Sequence, residues 1–192
     1  MKDSDTREDP QIILRATLST DGGSRGNPGI SGIGYSLMTT DIAGQATPVS
    51  SGGWYIGRAT NNQAEYHALI WGLENALARN VRILTVELDS ELVVKQLNGL
   101  YKVNNEGIKP LYTLAKGYLT GFSSVSVSHI RRALNSEPDR LANAAMDSLA
   151  PVGDFDVEYI DPDYMDEALA GLRQVINDGW TGLSPAADPE QT

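Results

Sequence analysis

Asp21-Gly22-Gly23-Ser24-Arg25-Gly26-Asn27-Pro28-Gly29 is the stretch on which the fold turns. Residues 12–20 ahead of it are short and β-rich, which reads as a strand ending at Asp21. The stretch itself, with four glycines and a proline, reads as a turn. Residues 30–39 follow, with Ile33, Tyr35 and Leu37 set among glycines, and read as a second strand. A turn over 41–44 and a weaker strand over 49–57 complete what looks like an antiparallel meander.

The period then changes. Leu69, Leu73, Ala76 and Leu77 recur at helical spacing within 62–80, the mark of an amphipathic helix. Glu65 lies four residues before Leu69, so it falls on the same inward face at the helix start. Residues 82–88, with Ile83, Leu84, Val86 and Leu88, read as a fourth strand. A short helix over 91–97 ends at Asn98-Gly99, and a second over 110–119 ends at Gly121. Val125 and Val127 alternate with serines over 123–130, a half-buried fifth strand, and a last helix covers 138–149. The expected fold class is α/β: a five-stranded mixed sheet, three antiparallel strands then two parallel, flanked by helices. The long connection from the first strand to the fourth permits a right-handed crossover, which would make those two strands parallel neighbours.

The 192 residues are 41% hydrophobic and 21% charged, with mean hydropathy −0.27, the balance of a globular chain. No run of eighteen apolar residues offers a membrane span. The first ten residues read as a disordered polar lead rather than a signal or transit peptide. These features lead us to expect a cytoplasmic monomer, with neither membrane nor protein partner. The absence of cysteine excludes a disulfide scaffold, a thiolate zinc site and a cysteine nucleophile. Two histidines, His67 and His129, are too few for a three-histidine metal site, so any metal must be held mainly by oxygens. His67 reads as a helix-surface residue.

The net charge is −10, unevenly placed: from Pro151 onward there are ten acids and one base, Arg173. The remainder is nearly neutral and can still present a basic face to a polyanion. Three regions are expected: a lead over 1–11, a domain over 12–150, and an acidic extension over 151–192. In the extension, Met165, Leu169, Leu172 and Ile176 space out an amphipathic helix over 164–177 before a disordered end.

Four carboxylates stand at element ends. Asp21 closes the first strand and Asp89 the fourth; Glu65 and Asp139 occupy the first turns of two helices. If the two strands are parallel neighbours about 5 Å apart, Asp21 and Asp89 leave the same sheet edge. Ligand sites in open α/β sheets lie at the carboxyl ends of strands. Four converging carboxylates repel one another unless cations fill the space, and hard divalent ions, Mg²⁺ or Mn²⁺, suit oxygen ligands. Each acid also has an ordinary structural explanation. Asp21-Gly22 is turn chemistry. Asn62 and Glu65 have capping-box spacing. Asp89 can cap the helix at Glu91, and Ser136 with Asp139 is again cap-like.

Four segments taken together resemble the ribonuclease H type 1 family: Asp21 to Gly29, Thr60-Asn61-Asn62-Gln63-Ala64-Glu65-Tyr66, Leu88-Asp89-Ser90, and Asn135-Ser-Glu-Pro-Asp139-Arg-Leu-Ala-Asn. The resemblance covers residues 12–150. It implies cleavage of the RNA strand of RNA–DNA hybrids, with Asp21, Glu65, Asp89 and Asp139 as both catalytic and metal-binding residues. Two Mg²⁺ ions about 4 Å apart can clamp an in-line displacement at phosphorus, leaving a 5′-phosphate and a 3′-hydroxyl. No cysteine, and no serine–histidine pair at motif spacing, suggests a covalent route.

The resemblance also places Asn27 and Asn62 at the RNA, and Thr60 and Asn61 towards the DNA strand. Neutral donors and acceptors of this kind can read 2′-hydroxyls in a minor groove. Turn and capping work would use the same residues equally well. His129 stands ten residues before Asp139, the spacing of the family's loop histidine; a capped strand-end histidine is the alternative, with Arg131 or Arg132 serving the loop and binding substrate instead. Two departures stand out. Glu91 replaces a neutral glutamine, and the stretch between Leu97 and Lys116 lacks a long basic insertion, leaving Lys102, Lys109 and Lys116 as sparse substitutes. A non-catalytic nucleic-acid-binding module on the same fold is the alternative function. A kinase or ATPase of actin-like architecture would need a second such domain.

Overall fold

The computed structural model describes residues 13–41 and 43–154. The lead over 1–11 and the expected helix over 164–177, with its stripe of Met165, Leu169, Leu172 and Ile176, lie outside the described residues. The elements run β1 (Arg15–Gly26), β2 (Gly29–Thr40), β3 (Ala46–Ala59), α1 (Asn61–Ala78), β4 (Ile83–Leu88), α2 (Glu91–Leu97), α3 (Lys109–Leu119), β5 (Ser124–His129), α4 (Ser136–Ser148) and β6 (Val152–Asp154). A 3-10 turn, Arg132–Leu134, precedes α4.

One mixed sheet holds all six strands, in the order β5-β4-β1-β2-β3-β6. β1, β2, β3 and β6 pair antiparallel, while β1, β4 and β5 pair parallel. The expected α/β class and the β1–β4 neighbourhood hold; the five-strand count and the strand order do not. In space β4 and β5 extend the sheet beyond β1, and β6 extends it beyond β3. The sixth strand is three residues pairing with Ser51–Gly53 of β3, too short to show any period in sequence.

The glycine-rich stretch is the second correction. Asp21 to Gly26 continues β1, paired residue by residue with Gly29–Gly34 of β2. The turn is confined to Asn27-Pro28. Gly22 is there because a helix lies on it: a Cβ would sit 2.1 Å from the Ala64 carbonyl carbon of α1. Gly34 serves α4 in the same way, where a Cβ would sit 2.1 Å from the Pro138 oxygen. Gly22 and Gly23 alternate across the strand, so α1 and α4 cover opposite faces.

The α1 face is filled by large side chains. Tyr35 and Trp54 meet Trp71 edge-on at 4.7 and 3.9 Å between centroids. Leu18, Leu69 and Leu73 are fully buried around them. Beside the aromatics lies a buried polar cluster. The Tyr35 hydroxyl donates to Asn75 Oδ1 at 3.1 Å, Arg79 donates to the same oxygen at 3.0 Å and to Ser50 Oγ at 3.1 Å, and Asn75 Nδ2 donates to the Trp71 carbonyl at 3.0 Å. His67 is half-buried rather than on the surface, and burial pushes its imidazole down to about 4. No helix among the described residues is long and apolar enough to cross a membrane.

Candidate active site

The parallel pairing of β1 with β4 stops at Thr20 opposite Leu88. The next residue on each chain segment is an aspartate, so Asp21, within β1, and Asp89, just after β4, emerge side by side where the parallel pairing ends. Glu65 is delivered by α1. Its capping box is formed by Thr60 and Gln63, not by Asn62 and Glu65: the Thr60 hydroxyl accepts from the Gln63 N–H, and Gln63 Oε1 accepts from the Thr60 N–H. This leaves Glu65 free to turn inward, and the seat of α1 on Gly22 lowers it beside Asp21. The Glu65 carboxylate accepts a hydrogen bond from the Gly22 N–H.

One oxygen each from Asp21, Glu65 and Asp89 lies within 4.8 Å of the others. Asp21 and Glu65 are 6% and 8% exposed, so little solvent screens them. Burial, then repulsion from Asp89 and Asp139, pushes the Asp21 carboxyl up to about 7. Burial, then repulsion from Asp21 and Asp89, pushes Glu65 up to about 9. All-oxygen donors, crowded and reluctant to ionise together, fit a hard divalent cation, whose charge would remove the repulsion. Asp139 lines the same cleft from the first turn of α4, with one oxygen 2.7 Å from the Arg132 guanidinium and the other accepting from Asn143.

The cleft holds about 450 Å³, bounded also by Asn61, Ser24 and Arg25. The remaining sequence candidates are placed differently. Asn27 is exposed at the hairpin tip and accepts from the Asn61 N–H at 3.2 Å. Thr60 spends its hydroxyl on the cap, and Asn62 is exposed. His129 ends β5, exposed, with Nε2 3.2 Å from the Asp89 carbonyl oxygen. Arg132 is in the cleft wall; Arg131 is exposed and outside it. Glu91 pairs with Lys95 at 2.8 Å, which holds its carboxyl below the usual range. Lys109 is paired with Glu106, and Lys116 donates to the Leu97 carbonyl. Neither Asp89 nor Ser136 caps a helix; Ser90 and Asn135 hold those positions, without a side-chain cap bond.

Sequence reading missed Arg25, Asn143 and Asn135. Arg25 hid in a segment read as a turn. Asn143 is four residues from Asp139, one helical turn on the same face, and that spacing could have found it. Nothing local marks Asn135, which is fully buried behind the carboxylates.

Sheet order, helix placement and carboxylate cleft together define a ribonuclease H-like α/β fold. A family described as reverse transcriptase-like matches residues 19–145. Ribonuclease HI of Halobacterium salinarum is 44% identical over 127 residues, covering 66% of this chain and 62% of that protein. A bifunctional protein of Mycobacterium tuberculosis is 37% identical over 169 residues, covering 88% of this chain and 44% of its own length. The chain therefore spans less than two thirds of either relative. Among solved structures, RNase H1 from Halobacterium salinarum superposes with a TM-score of 0.66 at 42% identity, covering 70% of this chain and 98% of that one. An RNase H1 crystallised with an RNA/DNA hybrid superposes at 0.63 with 35% identity and the same coverage. The chain belongs to the ribonuclease H type 1 family.

Proposed function

We propose that this chain is a divalent-cation-dependent endonuclease that hydrolyses the RNA strand of RNA–DNA hybrids to 5′-phosphate and 3′-hydroxyl ends. The observation that carries the reading is the trio Asp21, Glu65 and Asp89, with oxygens within 4.8 Å where the parallel pairing of β1 and β4 ends. Burial and mutual repulsion at Asp21 and Glu65 leave the site poised for a cation. Relatives named ribonuclease HI and RNase H1 lend the substrate class, and one of them was crystallised with a hybrid.

Asp21, Glu65, Asp89 and Asp139 would hold two Mg²⁺ ions, with Mn²⁺ as substitute. When bound, the ions supply Lewis acidity at the scissile phosphate and a lowered pKa for attacking water. The protein's own contribution is placement. Asp21 and Asp89 fix the cleft floor, Glu65 approaches from α1, and Asp139 closes the α4 side. Asn61 stands in the cleft wall, an uncharged residue on the side assigned to the DNA strand. Asn27, Thr60 and Asn62 flank it, and Arg132 places a cation where phosphate would pass. His129, at the rim beyond Asp89, is assigned the final proton or product-release step.

The test is cleavage of labelled hybrid, RNA–RNA and DNA–DNA duplexes, each with Mg²⁺, with Mn²⁺ and with EDTA. The reading requires hybrid cleavage that needs a cation and leaves 3′-hydroxyl ends. Hybrid binding without cleavage in both cations would convert the chain into a binding module.

A further inference from the structure

Asn135 is wholly buried, yet its side-chain amide reaches one of the carboxylates. One side-chain N–H donates to the Thr20 carbonyl of β1 at 2.8 Å, and the same amide donates to Asp89 Oδ1 at 3.2 Å. Its backbone carbonyl accepts the Asp139 N–H at 3.2 Å. One residue thus ties together the last β1 residue before Asp21, the carboxylate of Asp89 and the backbone of Asp139. Its Oδ1 is buried with no hydrogen-bond partner. A buried amide oxygen left unsatisfied costs stability, which is set against the bond to the Thr20 carbonyl. Both donors are used, which also fixes the orientation of the amide.

We propose that Asn135 is a positioning residue for the reaction: its amide holds the Asp89 carboxylate in the orientation that receives the cation, and locks β1, β4 and α4 at the spacing the site requires. The assignment rests on the cation-dependent reading above. Hydrogen-bond partners of metal-ligating carboxylates typically set metal affinity by 10–100-fold. Asn135 acts through Asp89, without itself touching the substrate.

Asn75 is the natural control. It is equally buried, lies in α1, and hydrogen-bonds to Tyr35, Arg79 and Trp71 rather than to any carboxylate. The experiment compares wild type, Asn135→Ala and Asn75→Ala at a temperature well below the melting point of each. Mn²⁺ affinity is measured by calorimetry without substrate, and kcat and KM on hybrid are measured separately. The expected result for Asn135→Ala is Mn²⁺ affinity about 10-fold weaker and kcat about 10–100-fold lower, with KM within about threefold. Asn75→Ala should melt earlier, with Mn²⁺ affinity and kcat within about twofold of wild type. Asn135→Ala with Mn²⁺ affinity and kcat unchanged would overturn the proposal, as would an equal loss of affinity in Asn75→Ala. If Asn135→Ala does not fold, NMR of the wild-type side-chain amide decides. Its two protons should be protected from exchange and should shift when Mg²⁺ is added; rapid exchange and no response would overturn the role. A wild-type protein that cleaves hybrid while Asn135→Ala matches it refutes the positioning role alone. A wild type that neither binds Mn²⁺ nor cleaves hybrid refutes the function itself, and this role with it.

Discussion

Two buried polar clusters sit on α1, and they are built on opposite terms. Around Asn75, hydroxyl, amide and guanidinium groups donate and accept in a closed set, and the Tyr35–Trp54–Trp71 aromatics shield it. Around Glu65, three carboxylates share a small space with like charges, and Asp21 and Glu65 hold their protons more tightly than usual. The first cluster is satisfied by the protein alone. The second is left in conflict, which a bound cation would resolve. The contrast separates residues that stabilise the fold from residues the fold holds at a cost, as functional sites often require.

The largest expected effect tests that division directly. Asp21→Asn should lower hybrid turnover by about a thousandfold or more, because it removes a cation ligand. It should also raise the melting temperature of the cation-free protein at pH 8, because it removes a buried repelled charge. Turnover near wild type at saturating Mg²⁺ would erase the difference between the clusters.

The stabilising side is probed by steric change. Gly34→Ala places a methyl against the Pro138 oxygen and should cost about 3 kcal/mol, seen in denaturant unfolding. It should also displace the start of α4, and so weaken activity through Asp139.

Proton linkage gives a graded version. In the folded, cation-free protein Asp21 and Glu65 hold their protons up to about pH 7 and 9, far above their ordinary values of 3.8 and 4.5. The folded state therefore binds protons more tightly than the unfolded state. Stability is fullest below about pH 4 on account of these two groups, and falls as pH rises through about 4 to 9. Melting temperature in EDTA should decline over that window, with a shallower decline in Asp21→Asn. Mg²⁺ affinity should rise over the same window, since binding displaces those protons. A cation-free melting curve that is flat across it would show the carboxylates are not in conflict.

Smaller effects refine the satisfied cluster and the rim. Tyr35→Phe should cost about 1 kcal/mol, since Asn75 Oδ1 keeps the Arg79 donor. Arg132→Ala should change stability by less than about 1 kcal/mol, because Arg132 is 76% exposed in its ion pair with Asp139. A large stability loss there would place the rim among the structural residues.

Local chemistry alone determined much of this molecule. The helical period of Leu69, Leu73, Ala76 and Leu77 fixed α1 and the inward face that carries Glu65. A short apolar run marked β4, valines alternating with serines marked β5, and the crossover length made β1 and β4 neighbours. From these the sequence brought Asp21, Glu65 and Asp89 to one sheet edge, because register and helix face are local properties. Tertiary structure decided the rest. Glycines 22 and 23 read as turn residues by propensity; they are strand because β2 pairs with them, and α1 lies on Gly22 where a Cβ would collide. Thr60 rather than Asn62 became the cap, although both have the required spacing, because the helix begins at Asn61, two residues earlier than a cap at Asn62 would allow. β6 exists only through its pairing with β3. Asn135 acquires its role from the meeting of β1, β4 and α4, three elements far apart in the chain. No pattern in its neighbours encodes that meeting, since burial and hydrogen-bond partners across more than a hundred residues arise only when the chain packs.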